Sequence, residues 1–238
     1  MSIEIANSKR VIYDFGMNDG LNLPYYLKKG IKVVGIEANP DCCDRVKEKF
    51  SNYINTQQLV VENCVVGPLD SKEEVEFYVH RFHSVLSQFP KPSLRNQPNF
   101  RTVKIAQRKA SSIIKEHGIP YFVKIDLEGG DEQVLEDFFE HTIIPELLSV
   151  EAQKIDIFFK VLKMGYRLFN WVEGAKVSRD YSNTQINTFD GIETYSFFRQ
   201  SAGPFGEDLK SPWRTQEPFL DFLLGTRMGW KDIHAKLH

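Results

Sequence analysis

The stretch DFGMNDG, residues 14–20, decides the reading of this chain. It follows the β-branched and aromatic run RVIYDF (10–15) and precedes LNLPYYLKKG (21–30), whose apolar positions recur at roughly helical spacing. That order is strand, glycine turn, helix. The next stretch, IKVVGIEANP (31–40), repeats it: an apolar strand ends at Glu37, and Asn39 and Pro40 open a charged amphipathic helix through DCCDRVKEKF (41–50). LVVENCVVG (59–67) supplies a third strand. Successive βαβ units imply a parallel, doubly wound sheet with right-handed crossovers.

Beyond Gly67 the rhythm changes. EEVEFYV (73–79) alternates like a half-exposed strand, and residues 80–100 are polar, proline-bearing and without period, which reads as a long loop. TVKIAQ (102–107) is strand-like, KASSIIKEHG (109–118) is a helix closed by Gly118, and YFVKIDLEGGDEQVLEDFFE (121–140) is again strand, turn and helix. LLSVEA (147–152) and the helix KIDIFFKVLKMG (154–165) follow, the latter carrying its phenylalanines at core spacing. YRLFNWVE (166–173) and ETYSFFRQ (193–200) are expected to pair as an antiparallel hairpin at the sheet edge. The fold class is therefore α/β, in one domain over 1–238, with a cofactor-binding half at about 10–130. Acceptor-recognising loops are expected at 80–101 and 201–217, because function on such folds varies in the loops.

Composition narrows the function classes. Thirty basic against thirty-two acidic residues give a formal charge of −2, no footprint for a nucleic-acid backbone or an anionic membrane. No apolar run is long enough to span a bilayer, and MSIEIANSKR lacks the layout of a secretion signal, so a cytoplasmic protein is expected. Cys42, Cys43 and Cys64 are an odd set with no zinc spacing and read as reduced thiols.

In a doubly wound sheet the first strand-to-helix turn is the usual cofactor cradle. Gly16 and Gly20 permit a tight turn and a close backbone approach, and Glu37, about twenty residues on, stands where a carboxylate accepts from a ribose diol. Nicotinamide sites use the same acid but require G-x-G-x-x-G and positive potential for a pyrophosphate. Here Asp14 and Asp19 flank the glycines, which suits a cationic cofactor without phosphate. S-Adenosyl-L-methionine has that chemistry.

These residues also resemble a known family. DFGMNDG is similar to the D-x-G-x-N-x-G signature of FkbM-type S-adenosylmethionine-dependent methyltransferases, with Met17 where alanine is common. GIEANP (35–40) resembles that family's second-strand motif, and VKIDLEGGDEQVLE (123–136) its fourth-strand pattern K-I-D-x-E-G. The resemblance covers roughly residues 11–173. It implies a Rossmann-like, seven-stranded fold and, often, O-methylation of sugars or natural products. By the same resemblance Asp14, Gly16, Met17, Asn18 and Gly20 would cradle the methionine part of the cofactor, and Glu37 would hold the ribose. Ala38 and Asn39 would flank the adenine, and Asn63 with Cys64 would contact its amino group.

Asp126 and Glu128 are expected on one face at the end of the fourth strand, by the period of two. One would meet the cofactor's ammonium and the other the acceptor. Glu128 could instead serve a helix N-terminus, and the pair could ligate magnesium, but no further ligand completes such a site and no metal is expected. His83, Glu128 and Glu151 are the candidate general bases for a small-molecule or glycan acceptor. Two other classes remain open: a nucleotide-dependent oxidoreductase, and a cofactor-binding module without catalysis.

Overall fold

The computed structural model describes residues 10–69, 71–89, 91–227 and 229–238. Nearly all of MSIEIANSKR lies outside them. The described strands are β1 (Arg10–Phe15), β2 (Lys32–Glu37), β3 (Leu59–Asn63), β4 (Val65–Val66), β5 (Ser71–His80), β6 (Phe100–Arg108), β7 (Ile119–Ile125), β8 (Leu147–Glu151), β9 (Leu168–Glu173), β10 (Thr184–Thr188), β11 (Gly191–Tyr195) and β12 (Lys231–Lys236). The helices are α1 (Leu23–Leu27), α2 (Pro40–Lys49), α3 (Ser51–Asn55), α4 (Ala110–His117), α5 (Asp131–Glu140), α6 (Asp156–Lys163), α7 (Val177–Asp180) and α8 (Gln216–Leu224).

Seven strands form the central sheet in the order β3-β2-β1-β7-β8-β12-β9. All neighbours are parallel except β12, which runs antiparallel to both β8 and β9. The chain builds outward from β1 to β3 and then returns to β7, so the strand order reverses between β1 and β7. Ligand sites of open α/β sheets lie at such a switch point.

Both faces of the sheet are covered, which is why its strands read as nearly continuous apolar runs. Val11, Tyr13 and Phe15 pack on one face with Ile113, Phe138 and Phe158 of α4, α5 and α6. Ile12 packs on the other with Tyr26, Val46 and Phe205. The period of two carries Asp14 onto this second face, where it is fully buried.

Three segments depart from the sequence expectations. The antiparallel partner of β9 at the sheet edge is the C-terminal β12, while the Thr194 segment forms a separate two-stranded hairpin of β10 and β11. β12 has no alternating signature because its polar residues Lys231, Asp232 and His234 are buried along with Ile233 and Ala235. The run LVVENCVVG is split: β3 joins the main sheet, and β4 joins a three-stranded sheet of order β4-β6-β5. Its hairpin connection carries residues 81–89 and 91–99, including two short 3-10 turns, back toward the main sheet's carboxyl edge. Residues 203–208, expected in an acceptor loop, turn inward instead. Phe205 stacks on Phe122 with ring centroids 3.9 Å apart, and Asp208 accepts from the Tyr25 hydroxyl and from the backbone and side-chain N–H groups of Asn187.

Candidate functional site

A cavity of about 750 Å³ opens at the carboxyl ends of β1, β2, β7 and β8, within the range of small-molecule sites. The turn after β1 forms one wall. The N–H groups of Gly16 and Met17 both donate to the Ile36 carbonyl, at 2.9 and 3.1 Å, which pins this turn to β2. Gly16 has a φ of 88°, and a Cβ there would lie 1.9 Å from the Asp126 carbonyl oxygen. The glycine is thus required by packing between β1 and β7, a different reason from ligand approach. Gly20 is likewise set by protein, since its Cβ would meet Leu23 at 2.7 Å, and it does not line the cavity.

Asn18 is left-handed at φ 49°, a conformation asparagine tolerates better than most residues. Its N–H donates to Glu37 Oε2 at 2.9 Å, while the Asn39 N–H donates to Glu37 Oε1 at 2.6 Å. Burial pushes the Glu37 carboxyl up to about 7, against the pull of these N–H groups. The carboxylate is therefore fixed in direction, with a lone pair on each oxygen left for a further donor. Asn63 braces the same corner from behind: its amide donates to the Glu37 and Ala38 carbonyls, and it does not line the cavity. Asn39 is buried as the N-cap of α2, its side chain accepting from the Asp41 N–H. Met17, Ala38 and Cys64 do line the cavity, with Val66, Phe77 and Phe89 making this end apolar.

The opposite end is charged. Lys124, buried at 3 % exposure, donates to Asp126 Oδ2 at 2.8 Å and lies 3.9 Å from Asp14 Oδ1. Its ammonium is held well above the usual range by Asp126, Asp14 and Asp232, which outweigh its burial. Asp14 is fully buried and does not itself line the cavity, and neither carboxylate oxygen has a hydrogen-bond partner among the described residues. Burial raises its carboxyl to about 6. Glu151 and Asp232 are paired across β8 and β12 and both line the cavity. Burial first, and neighbouring carboxylates second, lift Glu151 to about 8; burial lifts Asp232 to about 7.

Asp126 and Glu128 also reach the cavity, but strand alternation does not place them there. β7 ends at Ile125, and Glu128 adopts a left-handed φ of 48° in the following turn. Its carboxyl is raised to about 7, burial first and then Asp126. Asp131 in the first turn of α5 accepts from the Leu127 N–H of the preceding turn, and no side chain among the described residues caps that helix. His83 lies at the mouth, exposed, its N–H donating to His80 Nδ1. The same connection is fastened to the cofactor turn, because Ser84 Oγ donates to Asn18 Oδ1 at 2.9 Å.

Lys124, Asp232 and Trp230 line the cavity without having been singled out from the sequence, while Ser84 and Ser201 line it from within the loops expected at 80–101 and 201–217. For Lys124 a signal existed: a lysine inside an otherwise apolar strand, next to its carboxyl end. Asp232 and Trp230 had none, because β12 was not legible. Among the described residues one grouping has metal-like spacing, Glu62, Glu116 and His117. It lies outside the cavity, and Arg108 already bonds both of its carboxylates.

The methyltransferase FkbM domain model matches residues 14–194. No curated protein matches the chain significantly. Solved structures with partial likeness include a precorrin-6y C5,15-methyltransferase from Geobacter metallireducens, at 10% identity over 99% of this chain and 86% of that one, with a TM-score of 0.40. A TehB-like SAM-dependent methyltransferase from Corynebacterium glutamicum is 16% identical over 71% of this chain and 72% of its own, with a TM-score of 0.34. Both likenesses are distant, and the fold rests on the sheet order itself.

Proposed function

The chain belongs to the FkbM methyltransferase family, and from that premise we propose that it O-methylates a hydroxyl of a sugar, glycan or small natural product. The family implies S-adenosyl-L-methionine as donor, and the residues present suit it. The observation that carries this reading is the Glu37 carboxylate, held by two backbone N–H groups at the end of β2 with acceptor capacity facing the cavity. A cis-diol matches it. The apolar wall of Ala38, Cys64, Val66 and Phe89 suits an adenine, and the carboxylates of Asp126 and Glu128 suit an ammonium.

When bound, the cofactor supplies an electrophilic methyl group on a sulfonium. The chain's own residues orient the acceptor, exclude water and remove a proton. Glu151 is our choice of base. It ends a rigid strand, is 8 % exposed, accepts from the Gln153 amide at 3.0 Å, and has a carboxyl lifted into the range where a base works at neutral pH. Glu128 stands in an exposed turn and His83 on an exposed connection, which makes both less fixed in direction. Ser201 and Ala202 of the expected 201–217 loop, with Arg199 and Gln200 before them, line the same cavity, and we assign them to the acceptor.

Six acids line the cavity against two cations, Lys124 and Arg199, and Lys124 is already committed to Asp126, which counts against a pyrophosphate-bearing cofactor. Incubation with labelled S-adenosylmethionine and fractionated cell extract, followed by identification of the product, tests the function. A labelled O-methyl product is expected. Binding without any transfer would favour a non-catalytic module, and NADH binding without a response to S-adenosylmethionine would favour an oxidoreductase.

A further inference from the structure

A second concavity, of about 350 Å³, adjoins the cavity at the Glu173–Lys176 turn. Gly174 lines the cavity, whereas Glu173 and Lys176 line this groove, so the turn is a shared wall. Four cations line the groove, Lys176, Arg179, Lys210 and Arg214, against two carboxylates, Glu173 and Asp180. Two of the cations are committed, because Lys176 bonds Glu173 and Arg179 bonds Asp180.

Neither Lys210 nor Arg214 forms a salt bridge among the described residues, although, after the Arg179 hydrogen bond, the Lys210 charge helps hold the Asp180 carboxyl down. Lys210 donates to the Asp180 carbonyl and lies over the Tyr181 ring at 5.3 Å. The half-buried Arg214 guanidinium lies 4.9 Å over the Phe222 ring. A ring face stabilises a cation without consuming its N–H donors, so those donors remain for an external anion. Arg214 is also held firmly. Its backbone exchanges hydrogen bonds with Phe169 of the edge strand β9, at 2.9 and 2.8 Å.

We propose that this groove binds a phosphate substituent of the acceptor, so that the acceptor is a phosphorylated sugar or small molecule whose hydroxyl enters the cavity. Two uncommitted cations match a phosphate dianion, and guanidinium is suited to two-point contact with its oxygens. The cavity is lined by six acids against two cations, Lys124 and Arg199, whereas the groove has four cations against two acids, so the groove is the better place for that charge. This rests on the methyltransferase reading.

The test titrates inorganic phosphate into wild type, Arg214→Ala, Arg214→Lys and Lys210→Ala by calorimetry, and measures S-adenosylmethionine binding on each variant as the control for folding and for the cofactor site. Phosphate affinity should fall about tenfold or more in Arg214→Ala and be partly restored in Arg214→Lys, with cofactor affinity unchanged. Labelled methyl transfer into cell extract should drop once the extract is treated with phosphatase. Equal phosphate affinity in wild type and Arg214→Ala overturns the groove. Full labelling of phosphatase-treated extract overturns the acceptor assignment and makes the groove a site for a separate anion. If no extract is labelled, the methyltransferase reading fails, and the phosphate titration still decides the groove.

Discussion

Asn18 and Glu37 are joined across the carboxyl ends of β1 and β2 by a hydrogen bond from the Asn18 N–H to Glu37 Oε2, 2.9 Å long. The bond ties a residue that must be left-handed to the one carboxylate aimed at the cavity's apolar end. With Asn39 holding the other oxygen, Glu37 is oriented before any ligand arrives, and a diol that meets it loses little further freedom. Glu37→Ala should weaken S-adenosylmethionine binding by about 1.5–3 kcal/mol, the scale of hydrogen bonds to a charged group. Calorimetry reads this directly, and an unchanged affinity would remove Glu37 from the cofactor site.

The two kinds of glycine at this edge separate by experiment. Gly16→Ala places its Cβ 1.9 Å from a backbone oxygen at a φ of +88°, and no flexible side chain can yield. Gly129→Ala is also left-handed, at +101°, but meets nothing within 4 Å. The first should cost about 3 kcal/mol or more and the second about 1 kcal/mol. Thermal unfolding that ranks the two equally would show that conformation, and not the contact with Asp126, sets the need for glycine.

Much of this was legible in the sequence because both faces of the sheet are buried, and burial leaves a strong apolar signal in β1, β2, β7 and β8. Glu37 and Glu151 are visible as the charges that end such runs. What hid the rest was polar burial. β12 keeps Lys231, Asp232 and His234 inside, so it carries neither alternation nor an apolar run, and the strand that brings Asp232 beside Glu151 could not be seen. The segment around Phe205 was hidden for the opposite reason. Its glycines and proline look like an exposed loop, while one aromatic ring and one carboxylate anchor it to the core.

Ser84 fastens the connection between β5 and β6 to Asn18. Ser84→Ala removes a hydroxyl and leaves a small, half-buried residue, so stability should change by under about 1 kcal/mol. The loosened connection should speed cofactor release several-fold, measured by stopped-flow displacement. Identical release from wild type and variant would mean that the connection does not close over the cofactor turn.

The paired acids Glu151 and Asp232 give stability a pH dependence whose sign can be worked out. Their folded carboxyls, at about 8 and 7, lie above the unfolded values of roughly 4. Between these limits the folded chain binds more protons than the unfolded one, so stability falls as pH rises. Glu37 and Glu128, both raised to about 7, act in the same sense. Buried His234, whose imidazole is pushed down to about 3, opposes them below its ordinary value of about 6.5. The window without that opposition is therefore about pH 6.5 to 8, where Tm should decline. Glu151→Gln should flatten the decline and exceed wild type at pH 8 by on the order of 1 kcal/mol. A wild-type Tm that holds level or rises across this window contradicts the assignment.

Phe205 decides whether the segment after Ser201 is scaffold or recognition loop. Its ring lies nearly parallel to Phe122 of β7, packs edge-on or tilted against Tyr25 and Tyr26, and is 4 % exposed. The Phe205 N–H also donates to the Tyr25 hydroxyl, whose proton goes to Asp208, and Lys29 bonds the same carboxylate. Removing the ring opens a large cavity on the face of the sheet that carries α1, and α1, with five residues, has too few hydrogen bonds of its own to stand without tertiary packing. Phe205→Ala should therefore cost about 3–5 kcal/mol, as buried phenylalanines do. Phe205→Leu, which keeps most of the apolar volume, should recover more than half of that. Chemical denaturation of both variants provides the measurement. A loss below about 1 kcal/mol in Phe205→Ala would return the segment to the surface and to the acceptor side of the site.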